Sequence, residues 1–530
     1  MLTQKFEDWS GKIEALAMQV WQSVQANAGL ILALAAVALA AYGFELFNNN
    51  LTIDEEIHAV VSGGALSWVA IGRWGLYLLN QFLLPYTVVP FVPLFLALAF
   101  HIAAVVVLLE CWQVRSKLDQ VIVGAVCIAY PGNAYMYTFS VINYGIGFGL
   151  FCCAISLWIY LRATGLARWT AALPATFAFA VYPGFIVVIA AVFLVYLISA
   201  SMHTSRPILK QIAQMVAIFL ASLALNTILH KIALAVTHVA DNPYNATIFS
   251  LSGMLKNLPS LWASFWNEAL SVYWGAQSIY TLPLISLGLL LLTAGAGIAI
   301  HWLRSPAPPG RKLVSLAFSL GLFALPFLGG FATNGYYQMR FLISLSVTIA
   351  GLVMLGLSGS PRLVRILILL LAVYTVLMFV ISTNRLFASS SLALQADRLV
   401  GSRLAAEIDQ AKITAGVKDV PFLEVSGFLE TPATQLIPKS ETFGASFFEW
   451  DGGSANRIAL FLQTIGVQGL QSLPPERRTE MMIRFAAMPD WPAGGSVVVA
   501  GDTVLIKFGP YSAPQKQAIC ATAAPVDFCP

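Results

Sequence analysis

Apolar runs long enough to cross a lipid bilayer recur along most of this chain of 530 residues. A transmembrane helix needs about 20 consecutive apolar residues. Hydrophobic residues make up 58% of the chain and charged residues only 10%, whereas soluble domains carry about 25% charged residues. The sequence therefore predicts a polytopic α-helical membrane protein with eleven transmembrane helices. The predicted spans are residues 28–47, 78–110, 120–138, 143–161, 169–182, 184–202, 211–235, 279–302, 313–331, 341–358 and 363–383.

Basic residues are unevenly distributed among the loops that join these spans. Cytoplasmic loops of membrane proteins carry an excess of lysine and arginine. With the N-terminus inside, the inner loops contain Arg115, Lys117, Arg162, Arg168, Arg206, Lys210, Arg304, Arg311, Lys312, Arg362 and Arg365. The short outer loops contain only Arg73, Lys256 and Arg340. Because the number of spans is odd, this orientation puts the C-terminal tail outside as well.

Three regions follow from this pattern. Residues 1–27 are predicted to form an amphipathic helix on the cytoplasmic face. Residues 28–384 are predicted to form a transmembrane domain with outer loops 48–77 and 236–278. Residues 385–530 are predicted to form a small periplasmic α/β domain. Its predicted elements are helices over 386–412, 454–466 and 475–488, a strand over 421–427 and a hairpin over 496–508. Loop 236–278 is rich in Trp, Tyr and Phe, which is typical of a segment resting in the membrane interface.

Two of the six cysteines, Cys520 and Cys529, lie in the polar tail. Disulfides form in oxidising compartments such as the bacterial periplasm. A tail outside the cytoplasm therefore favours a Cys520–Cys529 disulfide, with two free thiols as the alternative. The expected location is a bacterial inner membrane with the tail in the periplasm.

Three adjacent carboxylates, Asp54, Glu55 and Glu56, follow the first span in a chain with few charges. A carboxylate at the water–lipid boundary is suited to deprotonate a hydroxyl nucleophile, and a neighbouring carboxylate raises its pKa. The alternative is a solvated acidic loop. His58 follows Asp54 by four residues, so a divalent metal between them stays an open alternative. Two ligands are too few to specify a metal site, and no cofactor is predicted.

Two arginines and one lysine lie on the predicted outer side, against the general orientation of charge. Arg73, Arg340 and Lys256 are candidates for binding a phosphate group. The alternative for the arginines is snorkelling to the membrane surface. The chain contains no Walker loop, Gly-x-Ser-x-Gly elbow or His-Glu-x-x-His motif. Since the inner loops are short, any donor substrate is expected to come from the membrane or from outside.

Several short motifs resemble one family of membrane enzymes. They are Ile53-Asp54-Glu55, Gly72-Arg73-Trp74, Tyr130-Pro131-Gly132 and the tail stretch 444–452, Gly-Ala-Ser-Phe-Phe-Glu-Trp-Asp-Gly. Together they resemble the serotype-converting O-antigen glucosyltransferases of the Gtr type, which more usually have Asp-Asp where this chain has Asp54-Glu55. The resemblance implies a GT-C-like fold with its active site at the first outer loop. It also implies a polyprenyl-phosphate sugar donor, usually glucose, and a lipopolysaccharide or other lipid-linked glycan acceptor.

The mechanism that this resemblance suggests is a single inverting displacement. In this hypothesis Asp54 accepts the proton of the acceptor hydroxyl, while Glu55 or Glu56 orients the acceptor or shares the role of base. Arg73 or Arg340 would stabilise the phosphate leaving group. The alternatives are a related transferase or glycan polymerase that uses a different sugar, and a flippase or transporter for a lipid-linked glycan.

Overall fold

The structure of the chain is a computed structural model. It describes residues 18, 22, 24–48, 50–61, 64–84, 88–203, 207–242, 257–333 and 335–521. The amphipathic helix predicted over 1–27 lies almost wholly outside the described residues. Most of the described chain is helical, and the only sheet within these ranges has four strands near the C-terminus.

Eight helices in the described part of the chain are long and apolar enough to cross a membrane. They are Ala28–Asn48, Val92–Cys111, Asn143–Arg162, Phe185–Met202, Ile208–Thr237, Ile285–Arg304, Pro309–Phe327 and Arg362–Ala415. Each of them overlaps a predicted span. The structure thus confirms several long apolar helices, which are compatible with a membrane protein.

Three other predicted spans coincide with helices that are shorter than a bilayer requires. These are Lys117–Ala129, Ala172–Val181 and Leu345–Leu357, with 13, 10 and 13 residues. The first ends just before Pro131 and the second just before Pro183, and proline disfavours helical geometry in the residue that precedes it. The predicted number of eleven full-length transmembrane helices is therefore not confirmed.

The predicted span 78–110 is divided between two helices, Trp74–Phe82 and Val92–Cys111. The sequence between them contains Pro85 and Pro90, and proline interrupts a helix because it lacks the N–H donor. The remaining α-helices of the described residues are Glu55–Val60, Leu66–Ala70, Ala134–Tyr137, Leu258–Tyr273, Gln277–Tyr280, Gly329–Ala332, Ala455–Thr464, Arg478–Ala487 and Ala513–Cys520.

The outer loop predicted over 236–278 contains the helix Leu258–Tyr273, and residues 243–256 lie outside the described part of the chain. Its buried residues recur at helical spacing and include Leu261, Phe265 and Ala269. Trp262 and Trp266 lie on the exposed side. An amphipathic helix with exposed tryptophans fits the predicted position at a membrane interface.

Antiparallel helices bring two sets of loops to opposite ends of the bundle. One set includes loops 50–54 and 130–142, which the Glu55 side chain links by hydrogen bonds; we call this the acidic end. The other set includes loops 112–116 and 358–361, which lie beside the ion pair between Arg365 and Asp119; we call this the basic end. A helix of 20 residues such as Val92–Cys111 separates the two ends by about 30 Å.

The last predicted span belongs to one helix of 54 residues, Arg362–Ala415, which we call the long helix. It also contains the tail helix predicted over 386–412, so the two predicted helices are one. The helix passes through Asn384, whose side-chain amide donates to the carbonyl of Ala40 at 2.8 Å. It ends at Gly416, which has a φ of 69° and closes the helix in the left-handed conformation. The division of the chain into domains at residue 385 stays a prediction.

The tail forms a four-stranded sheet in the order β2-β1-β4-β3. The strands are β1 (Phe422–Ser426), β2 (Gln471–Ser472), β3 (Val497–Ala500) and β4 (Thr503–Lys507). β1 pairs in parallel with β2 and β4, while β3 and β4 form an antiparallel hairpin. The strand and hairpin predicted in the tail are both present. Buried side chains of the long helix, including Leu404 and Ile408, share the apolar core of this region.

Candidate functional site

The three carboxylates of the acid cluster, Asp54, Glu55 and Glu56, occupy very different environments. Asp54 immediately precedes the helix Glu55–Val60 and has a φ of 71°. Such a conformation is uncommon for a residue other than glycine. The Asp54 side chain is 53% exposed, whereas Glu55 and Glu56 are each only 1% exposed. The sequence brings three acids together, but the fold gives only Asp54 direct access to solvent.

Glu55 holds the start of its helix against loop 130–142. One of its carboxylate oxygens accepts hydrogen bonds from the Ser140 hydroxyl at 2.6 Å and the Val141 amide at 3.3 Å. The other accepts from the Thr52 amide at 3.1 Å. Burial raises the pKa of Glu55 to about 7, although these hydrogen bonds act in the opposite direction. Glu55 is therefore a buried residue that fixes the start of its helix through three hydrogen bonds accepted by its carboxylate.

Glu56 and Asp54 both pair with Arg457, which lies in the helix Ala455–Thr464 of the tail. The guanidinium donates to Glu56 at 2.6 Å and to Asp54 at 2.9 Å. Its Nε donates to Asp451 at 2.5 Å. Burial raises the pKa of Glu56, and the charge of Arg457 offsets part of that rise. One arginine thus ties the first loop of the acidic end to the C-terminal region.

The tail motif 444–452 holds this arginine in place. Asp451 belongs to it, and its φ of 52° is again unusual for a residue other than glycine. Ser446 and the Phe447 amide donate to the two carboxylate oxygens of Asp397 on the long helix, at 2.5 and 2.8 Å. The motif therefore connects the long helix to the acid cluster through Asp451 and Arg457.

A cavity of about 180 Å³ opens beside Glu55. Its polar wall is formed by Asn50, Glu55, Ser140, Arg398 and Thr464. Within the described ranges the guanidinium of Arg398 makes no ion pair. The cavity thus brings a buried carboxylate and a cation from the long helix to one space.

The two arginines predicted to bind phosphate both contact Tyr182, Arg73 through its side chain and Arg340 through its backbone carbonyl, and neither lines this cavity. The guanidinium of Arg73 stacks on the Tyr182 ring at 4.9 Å from its centroid. The Tyr182 hydroxyl donates to the carbonyl of Arg340 at 3.4 Å. The side chain of Arg340 contacts the Phe341 ring and donates to Gln338. Lys256 lies outside the described residues.

Glu441 of the tail supports the loop that carries Arg340. Its carboxylate accepts a hydrogen bond from the Met339 amide at 2.6 Å. Burial raises the pKa of Glu441 to about 7, while this hydrogen bond and the charge of Arg340 act in the opposite direction. The tail therefore contacts both candidate regions of the acidic end, the acid cluster and the arginine pair.

A metal site cannot be assigned to the acidic end. The ring of His58 packs on Trp68 with 5.5 Å between centroids, and burial lowers its pKa. Among the described residues, no group of three or more His, Cys, Asp or Glu side chains converges where a metal ion would fit. Cys529 lies outside the described part of the chain, so the Cys520–Cys529 disulfide stays a prediction.

Sequence reasoning missed three charged or polar contacts of this site. Ser140 lies in an uncharged loop, and Arg398 lies on a long amphipathic helix where a charged residue is unremarkable. Arg457 pairs with a residue 403 positions away. The only sequence feature that pointed to this region was the tail motif 444–452, whose Asp451 accepts a hydrogen bond from Arg457.

One comparison with known proteins bears on this site. A family model described as Glucosyl transferase GtrII matches residues 43–395. The match covers more than half of the chain and includes the acid cluster, Arg73 and Arg340. Arg457 lies beyond it. No curated protein and no solved structure matches the chain.

Proposed function

The chain belongs to the glucosyl transferase GtrII family, and from this premise we propose its substrates and mechanism. The donor is a polyprenyl-phosphate sugar, with glucose as the sugar. The acceptor is a lipopolysaccharide O-antigen or another lipid-linked glycan. Transfer takes place at the acidic end of a GT-C-like bundle, on the periplasmic face of a bacterial inner membrane. The abundance of arginine at the opposite end supports this orientation.

Asp54 carries the proposal because it is the one accessible carboxylate of the acid cluster. One of its oxygens is held by Arg457 at 2.9 Å. The other accepts no hydrogen bond from a described residue, so it is available to an incoming hydroxyl. The left-handed backbone at Asp54, with a φ of 71°, is the kind of strained geometry that clusters at functional sites.

In the proposed reaction the acceptor oxygen attacks the anomeric carbon from the face opposite the phosphate. The new carbon–oxygen bond forms as the bond from the anomeric carbon to the phosphate oxygen breaks. Asp54 takes the hydroxyl proton, and the polyprenyl phosphate leaves with the bonding electron pair. The anomeric centre is inverted. Because a phosphate is already a good leaving group, no general acid is needed.

Glu55 and Glu56 act as positioning residues in this scheme. Both oxygens of Glu55 already accept hydrogen bonds from Ser140, Val141 and Thr52. Glu56 is buried and paired with Arg457. Their contacts fix the helix start from which Asp54 projects, so their loss would displace the base without removing it.

The charge that develops on the phosphate needs a cation close to the base. Arg398 shares the cavity beside Glu55 and has no ionic partner in the described part of the chain. We therefore add Arg398 to Arg73, Arg340 and Lys256 as a candidate for phosphate binding. An arginine binds phosphate oxygens through a planar pair of donors, which supports this role.

An exposed aromatic row beside the acidic end supports a lipid donor. Phe47, Phe91 and Phe95 are each at least partly exposed. Their ring centroids follow one another at 6.1 and 5.7 Å. Val88 of the same segment lines the cavity beside Glu55. A polyprenyl chain lying along this row would place its phosphate at the cavity mouth.

Transfer by the purified protein tests this proposal. Labelled polyprenyl-phosphate glucose and lipopolysaccharide are supplied to wild type, Asp54→Asn and the control Asp409→Asn, which alters an exposed acid on the long helix. We expect wild type and Asp409→Asn to transfer glucose and Asp54→Asn to lose about 10²–10⁴-fold in kcat.

Two results would contradict parts of the proposal. Full activity of a folded Asp54→Asn variant would remove Asp54 as the base while leaving the donor and acceptor intact. An inactive wild type that instead moves a lipid-linked glycan across a bilayer would replace transfer by transport.

A further inference from the structure

A large cavity lies at the basic end of the described chain, and none of the three acids of the acid cluster lines it. It has a volume of about 990 Å³. It is lined by residues from 110–123, by the last turns of Asn143–Arg162 and Phe185–His203, by the end of Leu345–Leu357 and by the start of the long helix. Five separate segments thus converge on one space, and the proposed transfer reaction does not use it.

Five charged side chains line this cavity, and their charges do not cancel. Arg162 pairs with Glu110, and Arg365 pairs with Asp119 at 2.6 Å. The fifth, Arg115, is exposed, and no described residue makes an ion pair or hydrogen bond with its guanidinium. Three cations and two anions leave the cavity with one net positive charge. A ligand with a single negative charge would balance it.

The position of the cavity favours a lipid headgroup over a free ion. Trp158 and Arg162 both line it and lie four residues apart, so they share one face of their helix. Trp158 is 38% exposed, and tryptophan is enriched at the headgroup level of membranes. Leu161 and Leu357 add apolar surface to the same wall. A headgroup among the arginines would leave its acyl chains along these residues.

We propose that the basic-end cavity binds the headgroup of an anionic phospholipid, a phosphodiester with a single negative charge such as phosphatidylglycerol. Arg115 donates to the phosphate oxygens, and the two ion pairs fix the walls on either side. Basic pockets between transmembrane helices on the cytoplasmic side are suited to anionic headgroups. The site is distinct from any donor lipid bound at the acidic end, and it does not depend on the transfer mechanism.

Native mass spectrometry of the delipidated full-length protein tests the proposal. Phosphatidylglycerol, zwitterionic phosphatidylethanolamine and inorganic phosphate are titrated separately onto wild type, Arg115→Gln and Lys117→Gln. Lys117 is the matched control, because it is an exposed cation of the same region that does not line the cavity. We expect Arg115→Gln to weaken phosphatidylglycerol binding about tenfold, as expected for loss of one charge-assisted contact. Lys117→Gln should bind as wild type does.

Three outcomes would overturn the assignment. Equal binding of phosphatidylglycerol and phosphatidylethanolamine would show that charge does not select the ligand. Equal weakening by Arg115→Gln and Lys117→Gln would indicate general attraction to the basic surface. Binding of inorganic phosphate that displaces phosphatidylglycerol would identify a free-anion site instead of a lipid site. Unchanged thermal unfolding of Arg115→Gln serves as the folding control, since its side chain is exposed.

Discussion

Replacing Arg457 with Met tests whether the tail organises the acid cluster. Arg457 contacts Glu56, Asp54 and Asp451 at 2.6, 2.9 and 2.5 Å. These three ion pairs contribute differently to the free energy of unfolding because the acids differ in exposure. The Asp54 and Asp451 side chains are 53% and 57% exposed, and each such pair contributes about 0.2–1 kcal/mol. The Glu56 contact dominates, since that side chain is only 2% exposed.

Removing one partner of a buried ion pair costs about 3–5 kcal/mol. Part of this cost is avoided in the Arg457→Met variant because Glu56 can take up a proton, and burial already raises its pKa. We therefore expect the free energy of unfolding to fall by about 3 kcal/mol. We expect kcat to fall at least about tenfold, equivalent to about 1.4 kcal/mol, because Asp54 loses the group that orients it.

The assay compares glucosyl transfer and thermal unfolding in detergent for Arg457→Met, Arg457→Lys, Glu56→Gln and the double variant. Arg484→Met is the control, since it removes an exposed arginine of the tail. The double variant should regain stability because no buried charge is left unpaired, while its activity stays low. Wild-type activity and stability in Arg457→Met, or purely additive effects of Arg457→Met and Glu56→Gln, would refute the reasoning.

Three further predictions follow from the site and the tail. Burial raises the pKa of Glu55 to about 7. Wild-type kcat should therefore fall as pH drops through about 7, because protonation turns one hydrogen-bond-accepting oxygen of Glu55 into a donor. Glu55→Gln should retain about a tenth of the wild-type activity, and its kcat should lack this fall near pH 7. Complete inactivity of Glu55→Gln at every pH would make Glu55 the base instead. Arg398→Gln should raise KM for the donor about tenfold, and an unchanged KM in Arg398→Gln, Arg340→Gln and Arg73→Gln would argue against phosphate binding by all three. Burial raises the pKa of Glu424 from 4.5 to about 7 although Arg478 opposes this, so the folded state binds the proton more tightly than the unfolded state. The stability that Glu424 contributes is present below pH 4.5 and is lost as pH rises through about 7. The melting temperatures in acid and alkaline buffer should therefore differ less for Glu424→Gln than for wild type. The same difference in both proteins would contradict the pKa shift.

The long apolar helices were predictable because a segment that crosses lipid must be an unbroken apolar run. The predicted helix ends are wrong where contacts with other segments allow polar residues to continue a helix. The predicted span 363–383 stops just before the polar pair Asn384 and Arg385. The long helix passes through both, because Asn384 donates to Ala40 and Arg385 donates to Thr281, at 2.8 and 3.5 Å. Polar side chains are tolerated in an apolar helix when backbone carbonyls of neighbouring segments accept their hydrogen bonds.

The acid cluster was predictable because three carboxylates stand out in a chain with 10% charged residues. Their separate roles were not, since a sequence of adjacent acids does not reveal that Glu55 is buried against Ser140 while Asp54 is exposed. Arg457 was beyond reach for a different reason. No periodic pattern links positions 403 residues apart, and only the folded tail brings them together.

The long helix also fixes the distance between its apolar stretch and the tail motif. Its 54 residues extend about 80 Å at 1.5 Å per residue, so one helix contains an apolar stretch long enough to cross a bilayer and also carries Asp397 to the tail motif. Inserting one residue between Asn384 and Asp397 would lift everything beyond it by about 1.5 Å and turn it by about 100°. Arg457 would then face away from Asp54. Surface loops generally tolerate insertions, but in this stretch the length of the chain itself determines whether the tail reaches the acid cluster.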